Sequence, residues 1–272
     1  MHDFSLYSAF AAHLADLARP IAKRYFRSEL TIIDKPDSTP VTLADMEIET
    51  RLRDEIARVY PAHGVLGEEH DGTNLDAEWV WVIDPIDGTK AFTCGKPQFG
   101  TLVALAHRGE PVIGVIDQPI LDECWVGVKG LGATFNGRAA RVSATRKPLS
   151  ETIVLITTPD MFDRAEDAPV FDRLKAACKG IYYGGDCYNY ALLASGHVDL
   201  VVEMGLKTVD FAALVNPIVE AGGVVCDWQG HALTLASDGT IVAAANRALA
   251  DEVLAALVPS PAARERAEGE GR

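Results

Sequence analysis

Asp84 and Asp87 are separated by Pro85 and Ile86 and followed by Gly88, and they close an apolar run from Trp79 to Ile83. The run is mostly β-branched or aromatic and reads as a strand buried on both faces. A Pro and a Gly beside two acids predict a turn there, which brings the two carboxylates together. Like charges converging at the end of an apolar strand oppose each other's ionisation unless a cation lies between them. A hard divalent ion suits that place, and Gly88-Thr89 could open a short helix whose free N–H groups face an anion such as phosphate. The plainer alternative is that Asp-Pro-x-Asp-Gly is a surface turn without a metal. Phosphatases with an aspartyl nucleophile separate their two Asp by one residue, so the two-residue gap does not indicate a covalent phosphoenzyme.

Other acids stand at the ends or on the inner faces of predicted elements. Ile48, Leu52, Ile56 and Val59 form the apolar stripe of a helix, and Asp45 falls in the middle of it, whereas Glu47, Arg51, Asp54 and Arg58 fall opposite. Either Asp45 serves a site or it only complements the helix dipole in the first turn. Glu68 and Glu69 end the short strand that begins at Gly64, Glu203 ends the strand from Val198, and Asp210 heads a helix, where an N-cap is the plain reading. Lys35 lies in a polar loop bracketed by Pro36 and Pro40, where a solvated lysine is the ordinary outcome.

The elements that must position these groups follow a mixed pattern. Leu6, Phe10, Leu14, Leu17 and Ile21 predict a long first helix with Pro20 as a kink point. Residues 99–143 read as an antiparallel sheet with Gly-rich turns and no ionisable cluster. From Thr152 to Glu203 strands and helices alternate, as in an α/β lobe. The Asp210 helix should be kinked by Pro217, Val224–Trp228 and Ala232–Leu235 should pair as a hairpin, and Asn246 should cap a last helix. The expected organisation is an N-terminal lobe over 1–145, a C-terminal lobe over 146–258 and a disordered tail over 259–272.

The chain has 272 residues, 48% of them hydrophobic, and a formal net charge of -14. Such a charge argues against nucleic acid or an anionic membrane as partner. Binding a phosphate ester would instead need a local reversal of field, which metal ions supply most directly. Five scattered cysteines without a C-x-x-C pair, and no leader segment, favour a reducing cytoplasm. No His pair has zinc spacing; the prospective ligands are oxygens, which favours Mg²⁺ or Mn²⁺.

Collected, the motifs resemble those of the inositol monophosphatase superfamily of Mg²⁺-dependent phosphomonoesterases over residues 5–258. The resemblance is carried by Gly67-Glu68-Glu69, by W-V-I-D-P-I-D-G-T at 81–89, and by Asp210 ahead of E-A-G-G at 220–223. It implies an α/β fold of the layered α-β-α-β-α sandwich type. It also implies a first metal held by Glu68, Asp84 and the Ile86 carbonyl, and a second held by Asp84, Asp87 and Asp210, with a third, weaker ion leaning on Glu68. Asp45 and Thr89 match the pair that orients the attacking water, Lys35 the basic residue of a loop near the metals, and Gly88 and Thr89 the phosphate-cradling amides. Glu203 matches an acid that contacts the organic part of the substrate. Val209 departs from the Trp that many members carry before the metal-binding Asp. Homodimers are common in the family, and the resemblance implies one here.

Within the superfamily the chain looks most similar to the histidinol-phosphate phosphatase branch. The residues that carry this are F-T-C-G-K-P-Q-F-G-T-L-V-A-L at 92–105, G-V-I-D-Q-P at 114–119 and G-G-D-C-Y-N-Y-A-L-L-A-S-G at 184–196. Histidinol phosphate carries an ammonium and a titratable imidazole, and Asp186 and Glu203 are acids suited to a cationic alcohol. Inositol monophosphate or another small phosphate ester remains an alternative substrate. A metal- and phosphate-binding protein without turnover is a further one, although none of the implied ligands is missing.

Overall fold

In the computed structural model, residues 4–28, 32–34, 40–164 and 167–257 are described, so Lys35 and the tail after 257 lie outside the described residues. The chain opens with α1 (Ser5–Tyr25), the short antiparallel pair β1 (Ile32–Asp34) and β2 (Pro40–Thr42), and α2 (Leu43–Val59). Then follow β3 (Gly64–Gly67), β4 (Trp79–Asp87), α3 (Thr89–Thr93), β5 (Gly100–His107), β6 (Glu110–Gln118), β7 (Glu123–Val128), β8 (Gly132–Phe135) and β9 (Arg138–Ala139). The seven strands from β3 to β9 make one sheet in chain order, with β3 parallel to β4 and every later neighbour antiparallel.

Strand β4 lies inside this sheet and is buried along nearly its whole length, as its unbroken apolar run requires. Its side chains alternate between two cores. Trp81 and Ile83 pack with Phe10, Leu14, Ile48, Leu52 and Ile56 of α1 and α2, whereas Val80 and Val82 join the core on the other face. Helix α1 runs through Pro20 without interruption, and Ala11, Ala15, Ala18 and Ala22 widen its buried stripe with small residues that let it lie close to the sheet. Leu6 does not share the stripe; it is 77% exposed in the first turn, and Val59 at the end of α2 is exposed too.

The second half comprises β10 (Ile153–Ile156), α4 (Ala168–Ala177), β11 (Gly180–Tyr183), α5 (Cys187–Ala194), β12 (Leu200–Glu203), α6 (Thr208–Phe211), α7 (Val215–Val219), β13 (Val224–Cys226), β14 (Ile241–Ala244) and α8 (Arg247–Leu257). Its five strands form a mixed sheet in the order β11-β10-β12-β14-β13. Helices α5 and α7 lie between the two sheets, and α4 and α8 cover the outer face of the second. The layers therefore run α-β-α-β-α, as the resemblance implied.

Two expectations for this half need correction. Ala232–Leu235 forms no strand: Asp227 accepts the N–H groups of Gln229 and His231 and turns the chain, and β13 pairs with β14. The helix after Asp210 is two short helices separated by a turn, since Pro217 has no N–H for the Ala213 carbonyl. That carbonyl packs over Gly114 of β6, and the Asn216–Pro217 backbone packs over Gly127 of β7. A Cβ at either glycine would collide with it, so these two glycines set how closely the middle layer approaches the first sheet.

Candidate active site

The predicted turn at Asp84–Asp87 is a bulge in a strand that continues. Asp84 lies opposite Leu102 and Asp87 opposite Gly100, so three steps along β4 match two along β5. In a regular strand residues three apart point to opposite faces; one extra residue cancels the difference in parity and brings both carboxylates to one side. Within the bulge the Pro85 carbonyl accepts the Thr101 hydroxyl at 2.8 Å. The chain turns only at Gly88, whose φ of 86° is cheap for glycine, and α3 begins there.

Two other elements complete the group. Cys187, the first residue of α5, donates its backbone N–H to Asp87 Oδ2 at 2.6 Å. An N–H in the first turn has no partner within its helix, so it is available to hold this side chain. Asp210 is not the N-cap of α6; it is the third residue of the helix and accepts the backbone N–H of Lys207 at 2.7 Å, one half of a capping box. One carboxylate oxygen from each of Asp84, Asp87 and Asp210 lies within 4.8 Å of the others.

This convergence is electrostatically unfavourable on its own. Burial, followed by the charges of Glu68, Asp87, Asp210 and Asp45, drives the Asp84 carboxyl well above the usual range. Asp87 is driven up by burial and by Asp186 and Asp210, and burial pushes Asp210 up to about 6 despite its bond from Lys207. Asp84 Oδ1 is buried with no hydrogen-bond partner among the described residues. A mutually repelling set of carboxylates with a buried, unpartnered acceptor fits a hard divalent cation.

A cleft of about 630 Å³ opens over these acids. Glu68, Ile86, Gly88 and Thr89 line it beside Asp84, Asp87 and Asp210, and Lys90, Lys96 and Lys207 bring positive charge to its walls. The Thr89 hydroxyl donates to the Ile86 carbonyl at 3.0 Å, and Lys207 Nζ stands 3.4 Å from Glu68 Oε1. The far wall comes from the second sheet: Thr157 and Thr158 after β10, and Gly184, Gly185 and Asp186 after β11. Asp186 has φ 45° and follows two glycines with positive φ, a conformation costly for a residue with a Cβ. It places the carboxyl against Gly88, and burial together with the charge of Glu203 lifts it to about 7 although Lys90 and Lys96 pull it down.

The sequence matches the inositol monophosphatase family over residues 5–262. The chain belongs to this family. Among its relatives, the chloroplastic bifunctional phosphatase IMPL2 of Arabidopsis thaliana is 43% identical over 87% of this chain and 68% of its own length. A histidinol-phosphatase of Chlorobaculum parvum is 34% identical over 91% of this chain and 95% of its own. An inositol monophosphatase structure from Zymomonas mobilis superposes with a TM-score of 0.85 at 42% identity, covering 94% of this chain and 99% of that one. These comparisons place the chain among phosphatases, and its acidic cluster could hold a metal.

The inositol monophosphatase fold thus brings together Glu68, Asp84, Ile86, Asp87, Gly88, Thr89, Asp186 and Asp210 at one cleft. Asp45 is fully buried behind it, close enough for its charge to oppose the ionisation of Asp84. Glu203 does not line the cleft: its oxygens accept the Thr157 N–H at 2.7 Å and the Tyr190 hydroxyl at 2.8 Å, and burial raises its carboxyl above the ordinary value. Lys90, Lys96 and Lys207 were not anticipated. Lys90 directly follows the Gly-Thr pair and could have been suspected; Lys207 meets Glu68 across 139 residues of chain, a pairing no local pattern announces.

Proposed function

We propose that this protein is a Mg²⁺-dependent phosphomonoesterase that hydrolyses L-histidinol phosphate to L-histidinol and phosphate, with Mn²⁺ as a substitute ion. The observation that carries the reading is the convergence of Asp84, Asp87 and Asp210 under a cleft whose opposite wall presents Asp186. The first part suits metal and phosphate; the second suits a cationic alcohol. The likeness to a protein named histidinol-phosphatase over nearly its whole length supports the same substrate. Inositol monophosphate is the second reading, favoured by the 42% identity to the Zymomonas protein.

In this account Glu68, Asp84, the Ile86 carbonyl, Asp87 and Asp210 hold the ions. Bound metal would lower the pKa of the attacking water and neutralise charge on the phosphoryl and leaving oxygens. The chain does the rest. Thr89, whose hydroxyl is held by the Ile86 carbonyl at 3.0 Å, and the buried Asp45 carboxylate take up the water's proton between them. The amides of Gly88 and Thr89 hold the phosphoryl oxygens, and Lys90 and Lys96 reverse the field of an otherwise acidic protein. Asp186 binds the cationic end of the alcohol, with Glu203 strengthening the negative field behind it. Lys35, outside the described residues, would contribute a further cation. We also take the protein to be a cytoplasmic homodimer whose two lobes meet along this cleft; among the described residues no helix is long and apolar enough to cross a membrane.

The substrate test is phosphate release with Mg²⁺ from L-histidinol phosphate and from inositol 1-phosphate at matched concentrations. A preference for the first of about a hundredfold, or roughly 2.7 kcal/mol in the transition state, is expected. A preference for inositol phosphate, or parity, would reject the substrate assignment and leave the metal chemistry in place.

A further inference from the structure

Glu49 lies one helical turn after Asp45 on α2 and, like it, is fully buried. A carboxylate enclosed between helix and sheet needs partners for its oxygens, and here a single turn of chain supplies most of them. Oε2 accepts the backbone N–H of Glu69 at 2.7 Å, and Oε1 accepts the backbone N–H of His70 at 3.2 Å. Oε1 also accepts Arg53 Nε at 2.7 Å, and Arg53 Nη2 donates to the His70 carbonyl at 3.1 Å. Glu49 and Arg53, one turn apart, therefore grip the 67–70 segment by two of its amides and a carbonyl. Gly67 completes the fit, because the Glu49 carboxylate already fills the space that a Cβ there would need. Glu68 stands between that glycine and the two gripped amides.

We infer that Glu49 is a positioning residue that aims the Glu68 carboxylate into the cleft, so that one helix sets both Asp45 and Glu68. The inference rests on the reading of Glu68 as a metal ligand. An outer carboxylate that fixes a ligand's backbone does more than stabilise the fold: its removal weakens metal binding only while that ligand is present.

The test is the Mg²⁺ dissociation constant, measured by calorimetry on wild-type protein, Glu49→Gln, Glu68→Gln and the double variant, with thermal unfolding of the metal-free proteins alongside. Gln keeps the size of Glu49 but gives up one acceptor and the charge that Arg53 faces. Glu49→Gln should weaken Mg²⁺ binding roughly 10- to 100-fold and add no further loss in the Glu68→Gln background. Equal losses in both backgrounds, or no loss from Glu49→Gln when Glu68→Gln does weaken binding, would overturn the inference. An unchanged affinity in Glu68→Gln would instead reject Glu68 as a ligand and the inference with it. Should Glu49→Gln fail to fold, Gly67→Ala displaces the same carboxylate; a folded Gly67→Ala protein with wild-type Mg²⁺ affinity would also overturn it.

Discussion

At the scale of single residues, the site depends on acids that are costly where they stand. Asp87→Asn keeps an oxygen to accept the Cys187 N–H but removes a charge from the cluster. Metal affinity should fall by more than the roughly 10- to 100-fold of an outer-shell change, with turnover nearly lost; calorimetry and phosphate release together check this, and unchanged values would remove Asp87 from the metal site. Glu203→Gln is a subtler probe. Gln can still accept from Thr157 and donate to the Tyr190 oxygen, so the exchange takes away charge while keeping the packing. The loss of kcat/KM should be about tenfold greater for the phosphate ester of a cationic alcohol than for that of an uncharged phenol. Equal losses would mean that Glu203 serves the fold alone. Asp84 and Asp87 were legible in the sequence because they are neighbours in the chain. The placements of Glu203 and Asp210 were less so: the carboxylate of one is taken up by Thr157 and Tyr190, and the other accepts from Lys207 as the third residue of its helix, both fixed by neighbours that sequence periodicity does not locate.

At the scale of elements, the helical face that buries Asp45 and the apolar run of β4 were legible from their periods of 3.6 and 2. The bulge was not, because Asp-Pro-Ile-Asp-Gly satisfies a turn as readily as a strand that slips register by one residue. The supposed strand at 232–235 failed for a local reason: an apolar stretch predicts pairing, but Asp227 accepts the N–H groups of Gln229 and His231 and turns the chain there, and β13 pairs with β14 instead. The glycines of β6 and β7 gain their meaning only from α7 and the turn that leads into it. Gly114→Val should destabilise the protein by at least about 2 kcal/mol through overlap with the Ala213 carbonyl, seen as a lower midpoint in urea. An unchanged midpoint would show that α7 can withdraw from the sheet at little cost.

At the scale of the whole molecule, the layered fold spends stability on its cleft. Carboxyls raised to about 6 at Asp210 and about 7 at Asp186 retain protons in the folded state that an unfolded chain releases near the ordinary value of 3.8. Between these values the folded state binds more protons than the unfolded one, so stability falls as pH rises, from about pH 4 to about pH 7. Metal-free protein should therefore melt at a lower temperature at pH 8 than at pH 5.5, and Mg²⁺ should raise the pH 8 value most, since the ion takes the place of the protons. A metal-free midpoint that rises with pH across this range would contradict the electrostatic picture. The same picture accounts for a chain of net charge -14 that is built to receive a phosphate ester: three lysines on the cleft walls and the cations the acids would hold reverse the field locally.

The most direct test of the account is phosphate release from L-histidinol phosphate by protein stripped with a chelator and then titrated with Mg²⁺. No release above background is expected without the ion and full recovery as Mg²⁺ is restored, with Asp84→Asn remaining inactive throughout. Release that persists without any divalent ion, or a fully active Asp84→Asn protein, would contradict it.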